Sequence, residues 1–421
     1  MTETEANNYS TTPQEAIQKA RKIWLTSTSQ SDLDEVERLY RWALSSKIAS
    51  DDVNHDDKNS EPPQKKTKTV GHCGLDRSDY ISASEKFALF LCQSGRCKKA
   101  KKGLASIGFT CRLAKRVLDY PEESEERSDK PSLNKNEIIK QQNEPPSTII
   151  DNFLLTVEFK RLQSVFESTV ANYWTSHNYA VEPPSPYFSY VLSLEQIDKD
   201  DFGFIGKLIQ KAVRCPILTE KFPKLPRTRY VEMWAHNRPH ASGHQLHFDS
   251  DDEGRGGIRN PIISTILYLA DCNHEIAGGP SLVTNQKLSD EKLASKGWMS
   301  SPKPYRLVAF DGRYLHGVVP GKGFKQGRRV TLMFAFWDDI KVRRGLGPGS
   351  ARPFPTKNLP PWAIQLTSHV DTGDVTNDNQ YQNCMIADPI ELDRVYETLD
   401  GEAWDNGKMG LPAYDQVFQG F

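Results

Sequence analysis

Residues 244–249 read His-Gln-Leu-His-Phe-Asp, and whether they lie on a strand decides how the rest of the chain is read. In an extended strand, residues i and i+2 point to the same face, so His247 and Asp249 are placed to reach one ion. Working outward, a third ligand has to come from far along the chain. His316, in the strand-like run Tyr314-Leu315-His316-Gly317-Val318-Val319-Pro320, is the candidate. Taken singly, an H-x-D is more often an accident of a loop, and a lone histidine is more often a hydrogen-bonded core residue. His236, His240 and His244 crowd the same region and either line a pocket or sit in a loop.

Two neutral imidazoles and one carboxylate on one face of an octahedron leave three positions open. That geometry suits non-haem Fe(II), which must bind a co-substrate and O2 side by side. Beyond His316 the chain reads Arg328-Arg329-Val330-Thr331 and continues as the strand-like TLMFAFW. Arg329 and Thr331 fall on one side of such a strand. A fixed guanidinium with a hydroxyl beside it matches the distal carboxylate of a dicarboxylic acid. A one-residue register shift exchanges Arg329 for Arg328, and a plain surface start to the strand is the competing reading. The sequence contains no G-x-S-x-G elbow, no G-x-x-x-x-G-K-[ST] loop and no G-x-G-x-x-G after a strand, so hydrolase and nucleotide readings lack an anchor.

The order of these motifs resembles the Fe(II)- and 2-oxoglutarate-dependent dioxygenases, in particular the prolyl 4-hydroxylase-like branch. IIDNFLLTVEFKRLQSVFES (149–168) resembles its lead-in strand and helix, and HQLHFDSD (244–251) its H-x-D strand. IISTILYLADCNHEIAGGPSLV (262–283) resembles the next strand and its Gly-Gly turn. RLVAFDGRYLHGVVPG (306–321) resembles the distal-histidine hairpin, and GRRVTLMFAFW (327–337) the co-substrate strand. The resemblance covers about residues 148–340. It implies a mainly β fold with helices, a double-stranded β-helix (jelly roll) preceded by a helical N-terminal region. It also implies His247, Asp249 and His316 as iron ligands, with Arg329, Thr331 and Tyr268 as residues holding 2-oxoglutarate; for Tyr268 a core aromatic is the alternative. Trp234 and His236 share a strand face and line the cavity on this reading.

The remaining sequence sets limits. The chain has 421 residues, and its 54 basic and 55 acidic residues leave a formal charge of −1, so no global field steers it to nucleic acid or membrane. Seven scattered cysteines without a C-x-x-C indicate neither a disulfide scaffold nor a structural zinc site. The acidic, polar start excludes an ordinary secretory signal, and no apolar run reaches the eighteen or so residues of a membrane span. An intracellular protein is expected, cytoplasmic or nuclear, with Lys65, Lys66 and Lys68 as a short candidate nuclear signal.

Periodicity divides the chain. Residues 1–50 read as helices, the first opened by a capping box at Thr12-Pro13-Gln14-Glu15 and the second from about Ser31. Residues 51–75 read as a flexible insertion. Residues 76–120 read as a helical pair that loosely resembles one tetratricopeptide unit without a second copy. Residues 121–147 read as a disordered linker, 148–340 as the dioxygenase domain, and 341–421 as a tail whose aromatics pack on it. The acidic stretch Asp251-Asp252-Glu253 reads as a solvated turn near the mouth of the site.

The expected reaction is hydroxylation of a C–H bond with Fe(II), 2-oxoglutarate and O2, ascorbate being a candidate reductant. A protein side chain such as proline is slightly favoured as substrate. Two alternatives stay open: a cupin-type metalloenzyme that does not use 2-oxoglutarate, and a non-catalytic β-barrel binding module.

Overall fold

The computed structural model describes residues 12–26, 29–45, 74–121, 145–179, 188–199, 202–251, 257–269, 277–323, 325, 327–342, 349–369 and 380–421. The expected insertion at 51–75 and linker at 121–147 lie outside these residues except at their ends, as do Lys65, Lys66, Lys68, Asp252 and Glu253.

The N-terminal region begins with α1 (Pro13–Thr26) and α2 (Gln30–Ser45). The Thr12 capping box forms: the Thr12 amide donates to Glu15 Oε2 at 2.7 Å, and the Glu15 amide to Thr12 Oγ1 at 3.3 Å. Ala16, Ala20 and Trp24 recur on one face of α1, and Val36, Leu39, Tyr40 and Ala43 on one face of α2. They meet α3 (Arg77–Gln93) and α4 (Cys97–Ser106), with Trp24 edge-on to Phe90 and Tyr40 stacked on Phe87.

The helical reading then fails at one place. Cys111–Leu113 form strand β1 before the short helix α5 (Lys115–Leu118). Its partners lie nearly 300 residues away, beyond the reach of any local pattern.

Two larger sheets follow. In chain order the strands are β2 (Ser147–Asp151), β3 (Phe188–Ser193), β4 (Tyr230–Pro239), β5 (His244–His247), β6 (Ile263–Tyr268), β7 (Ser281–Lys287), β8 (Gly297–Ser300), β9 (Leu307–Phe310), β10 (Tyr314–Val318) and β11 (Arg328–Trp337). The tail adds β12 (Gly349–Pro353), β13 (Met385–Ala387), β14 (Ile390–Leu392), β15 (Tyr396–Thr398) and β16 (Val417–Phe418). One sheet has eight strands in the order β12-β3-β4-β11-β6-β9-β2-β13, and the other has five in the order β14-β8-β7-β10-β5. Apart from the parallel β12–β3 pair, neighbours in both sheets are antiparallel.

Alternation along β11 explains how the larger sheet is buried on both sides. Val330, Leu332, Phe334 and Phe336 pack outward in one apolar cluster with side chains of α6 (Thr156–Phe166), α7 (Asn172–Ser176), α8 (Leu194–Ile197), α9 (Gly203–Val213), α10 (Pro216–Lys221) and α11 (Pro361–Thr367). Met333, Ala335 and Trp337 point inward, where they meet Ile266 and Tyr268 of β6 and Val283 of the smaller sheet. The outer face of the smaller sheet is covered differently. Leu246, Leu282, Met299 and Leu315 share a cluster with the buried faces of α1 to α4, each contributing roughly 1.5–3 kcal/mol by leaving water.

The tail is also located. β13 extends the larger sheet at β2, β14 extends the smaller one at β8, and β15 and β16 flank β1 on its two sides. Trp362 of α11 lies in the helix-side core, and the Tyr381 hydroxyl donates to the Lys211 carbonyl at 2.7 Å. No helix among the described residues is long and apolar enough to cross a membrane.

Candidate metal centre

β5 and β10 are neighbours, and their register sets His247 directly opposite His316. The two rings lie 4.4 Å apart, and Asp249, two residues past His247, turns its carboxylate between them. His247 Nε2 is 3.6 Å from Asp249 Oδ1, and His316 Nε2 is 3.6 Å from Asp249 Oδ2. One ligand atom from each residue falls within 4.8 Å of the other two. These separations leave room for an ion about 2 Å from each atom.

The supporting bonds set the ligand atoms. His247 Nδ1 faces the Gln245 carbonyl at 2.8 Å and His316 Nδ1 the Tyr314 carbonyl at 3.0 Å. A carbonyl can only accept, so each Nδ1 carries the proton and each Nε2 presents its lone pair inward. The Ser264 hydroxyl donates to Asp249 Oδ2 at 2.6 Å. Burial would raise the Asp249 pKa, but His316, His247 and Ser264 outweigh it and hold the carboxyl well below its usual range. Burial lowers His316 to about 4. It also opposes charge on His247, where the adjacent Asp249 wins and raises the pKa.

The other end of the cavity is built by β11 and β4. Arg329 pairs in register with Arg238, and Thr331 with His236. Arg329 is the inward residue: it is buried and lines the cavity. Arg328 points to the opposite face, where it bonds the side chain and carbonyl of Asn237. The Arg329 Nη2 donates to Ser281 Oγ at 2.9 Å, and the same oxygen lies 2.8 Å from the Tyr268 hydroxyl. Tyr268 and Thr331 are therefore buried on the inward face near Arg329, although neither forms part of the cavity wall as Arg329 does. Gly278, at φ 95°, makes this packing possible, since a Cβ there would sit 2.5 Å from Arg329 Cδ.

Four buried polar atoms at this end have no partner among the described residues: Arg329 Nε, Arg238 Nε, Thr331 Oγ1 and His236 Nδ1. Among the described residues neither arginine has a carboxylate within 4 Å. Burial, with His244 next, drives His236 well below the usual histidine range, and burial with His247 takes His244 to about 3. These imidazoles are neutral, so among the described residues the charge at this end is that of the two guanidiniums. Leaving such groups buried and unpaired is costly, which marks a site for an anion with several acceptor oxygens.

Both ends open on one cavity of about 380 Å3, which also has Trp234, His236, His244, Phe310, Met333 and Trp337 in its wall. Trp234 and His236 stand where their strand alternation placed them. His240 does not line the cavity; its Nδ1 accepts from the Gly278 amide and its Nε2 donates to the Lys322 carbonyl. Asp251 is buried and bridged in both directions to Arg259. Sequence reasoning missed Ser264, Ser281, Arg238 and Glu232. Alternation along β4 from Trp234 and His236 reaches Glu232 and Arg238, but nothing local distinguishes the two serines.

No protein-family model matches the chain, and no curated protein matches it. Among solved structures it is similar to a prolyl-4-hydroxylase from Pseudomonas putida, at 16% identity and TM-score 0.28, over 48% of this chain and 94% of that one. It is similar to the non-heme alpha-ketoglutarate-dependent carbocyclase SnoK from nogalamycin biosynthesis, at 9% identity and TM-score 0.32, over 51% of this chain and 91% of that one. HygX from Streptomyces hygroscopicus with iron bound is similar at 12% identity and TM-score 0.27, over 47% of this chain and 85% of that one. At TM-scores this low the residues themselves must carry the case.

Proposed function

We propose that the protein is an Fe(II)/2-oxoglutarate-dependent dioxygenase that hydroxylates a C–H bond, with residues 148–340 as its catalytic region. The observation that carries this reading is one cavity with His247, Asp249 and His316 converging at one end and unopposed Arg329 and Arg238 at the other. The double-stranded β-helix belongs to the same proposal. It is supported by the passage of β4 to β11 between the sheets, alternating except at the β7–β8 hairpin, which gives the orders β4-β11-β6-β9 and β5-β10-β7-β8.

His247 Nε2, His316 Nε2 and Asp249 would hold the metal, and Arg329 the distal carboxylate of 2-oxoglutarate, with Arg238, Ser281, Tyr268 and Thr331 around it. When bound, the metal and co-substrate supply the oxidising power: one oxygen atom of O2 enters the substrate as hydroxyl, the other enters succinate, and CO2 leaves. The chain's own part is orientation and exclusion of water. The Gln245 and Tyr314 carbonyls fix the imidazole tautomers, Ser264 fixes the carboxylate, and the aromatic wall keeps the reacting carbon dry. An intracellular setting, cytoplasmic or nuclear, is part of the proposal; Cys92, Cys97, Cys111, Cys215 and Cys384 are free, as suits a reducing compartment.

A cupin-type enzyme without 2-oxoglutarate has no use for a buried Arg329 and a half-buried Arg238 that face no carboxylate among the described residues, and a binding module has none for three converging ligands. The test is succinate release from 2-oxoglutarate with Fe(II) and ascorbate, wild type against His247→Ala, together with direct binding of both ligands. Iron-dependent turnover absent from the variant is expected. Failure of the wild type to bind either Fe(II) or 2-oxoglutarate would end this reading.

A further inference from the structure

Glu232 is unexplained by the metal site and the co-substrate end. It sits on β4, level in register with Ala335 of β11, which is level with Ser264 of β6. Two strand spacings, about 10 Å between backbones, thus separate Glu232 from the serine that holds Asp249. Its side chain points into the cavity and is 6% exposed. Ser189 donates to its Oε1 at 2.5 Å. Among the described residues no lysine, arginine or histidine lies within 4 Å of it. Trp234, two residues along β4, and Trp337, two residues past Ala335 on β11, line the same cavity. Burial pushes its carboxyl up to about 7, although Ser189 pulls the other way.

A carboxylate in an apolar wall is costly unless a ligand brings a counter-charge. Indole faces add to the attraction for a cation. The co-substrate is an anion, and the arginines that suit it stand at the far end of β4 and β11. Ionised, Glu232 repels an anion, so the cavity sorts charge along its length. We propose that Glu232, with the aromatic wall, binds the cationic head of the substrate, an ammonium or guanidinium on an alkyl stem. This rests on the dioxygenase reading. The stem then spans the space between Glu232 and the metal ligands, where one of its C–H bonds becomes C–OH while 2-oxoglutarate and O2 become succinate and CO2. A neutral proline leaves Glu232 without its counter-charge, so a basic side chain or free amine replaces it as the expected substrate.

The experiment loads the full chain with Fe(II) and 2-oxoglutarate, follows their charge-transfer absorption, and titrates butylammonium and butylguanidinium against neutral 1-butanol. The cations should bind at least tenfold more tightly than the alcohol, and Glu232→Gln should lose that preference. Equal binding of cation and alcohol by the wild type overturns the proposal, as does an undiminished preference in Glu232→Gln. If Fe(II) and 2-oxoglutarate fail to bind, the dioxygenase reading fails instead, and thermal shift with the same amines on the metal-free protein still tests the cation site. Succinate release stimulated by lysine- or arginine-centred peptides assigns a protein substrate, and stimulation by free amines alone a small molecule. Stimulation by proline-centred peptides alone overturns the proposal.

Discussion

The two strands that carry His247 and His316, the proposed histidine ligands, are held in different ways. β10, with His316, is interior: β7 pairs with one side and β5 with the other. β5, with His247, is a four-residue edge strand, and its free side is closed by the C-terminal tail. The Leu246 amide donates to Gln419 Oε1 at 2.8 Å, and the Leu246 carbonyl accepts from the Tyr414 hydroxyl at 3.3 Å. Phe421 packs against Gly243 at the start of the same strand, where a Cβ would come within 2.0 Å of its ring. A sheet holds one of these histidines, and side chains more than 160 residues further on brace the strand of the other.

The comparison breaks first at the ligands themselves. Asp249 is shared by both halves of the site, so Asp249→Ala should abolish Fe(II) binding and turnover while the circular dichroism of the fold persists. His247→Ala and His316→Ala should each do the same. Full activity in His247→Ala would show that the edge strand does not carry a ligand. The next largest effect lies at the arginine end. If Arg329 is the proposed clamp, Arg329→Ala removes about 1.5–3 kcal/mol of charge-assisted bonding, and the KM for 2-oxoglutarate should rise roughly 10- to 100-fold. Arg328 bonds Asn237 on the outer face, away from the cavity, and Arg328→Ala should leave KM within about twofold. Equal effects from the two would move the co-substrate away from Arg329.

A smaller effect separates the strands directly. Gln419→Ala leaves the Leu246 amide without its acceptor, at a cost of about 1 kcal/mol. It should weaken Fe(II) binding a few-fold through β5 alone, measured by metal titration, with the midpoint of thermal unfolding little changed. Gln419→Glu retains an acceptor oxygen and should restore affinity. An unaltered Fe(II) affinity in Gln419→Ala would show that β5 needs no brace from the tail.

This difference also explains what was readable in the chain. The H-x-D at 247–249, the strand of His316 and the alternation of Arg329 with Thr331 are local patterns of period two, visible wherever a strand is buried on one polar and one apolar face. Which of Arg328 and Arg329 points inward was not local, because it depends on the pairing of β11 with β4 over all ten residues. Gln419, Ser264 and Ser281 were illegible for the same reason, each acting on a residue that only the fold brings near. The strand at Cys111–Leu113 was hidden by its helical surroundings, since its partners are tail strands. The attachment of α1 to α4 over the smaller sheet was likewise invisible, their apolar faces being spaced as in any helical pair.

That helical layer backs both ligand strands, and its own cohesion supplies the smallest test. Glu37 of α2 accepts from Arg41 within its own helix, from Arg96 at 2.7 Å and from Lys99 at 2.9 Å, so it ties α2 to the α3–α4 corner. Burial alone would raise its pKa, but the three cations prevail and lower it to about 2 from 4.5. A carboxyl depressed on folding binds fewer protons in the native state than in the unfolded one. Its stabilisation is therefore complete above about pH 5 and is lost as the pH falls towards 2. Glu37→Gln should lower the thermal midpoint at pH 7 by a few degrees, and the gap from wild type should close between pH 5 and pH 2. If the gap is the same at both ends, the charge on Glu37 does not join the helices. If Fe(II) affinity falls with the midpoint at pH 7, the layer holds β10 and β5 alike, and the contrast between the two strands narrows to the tail's bonds at Leu246.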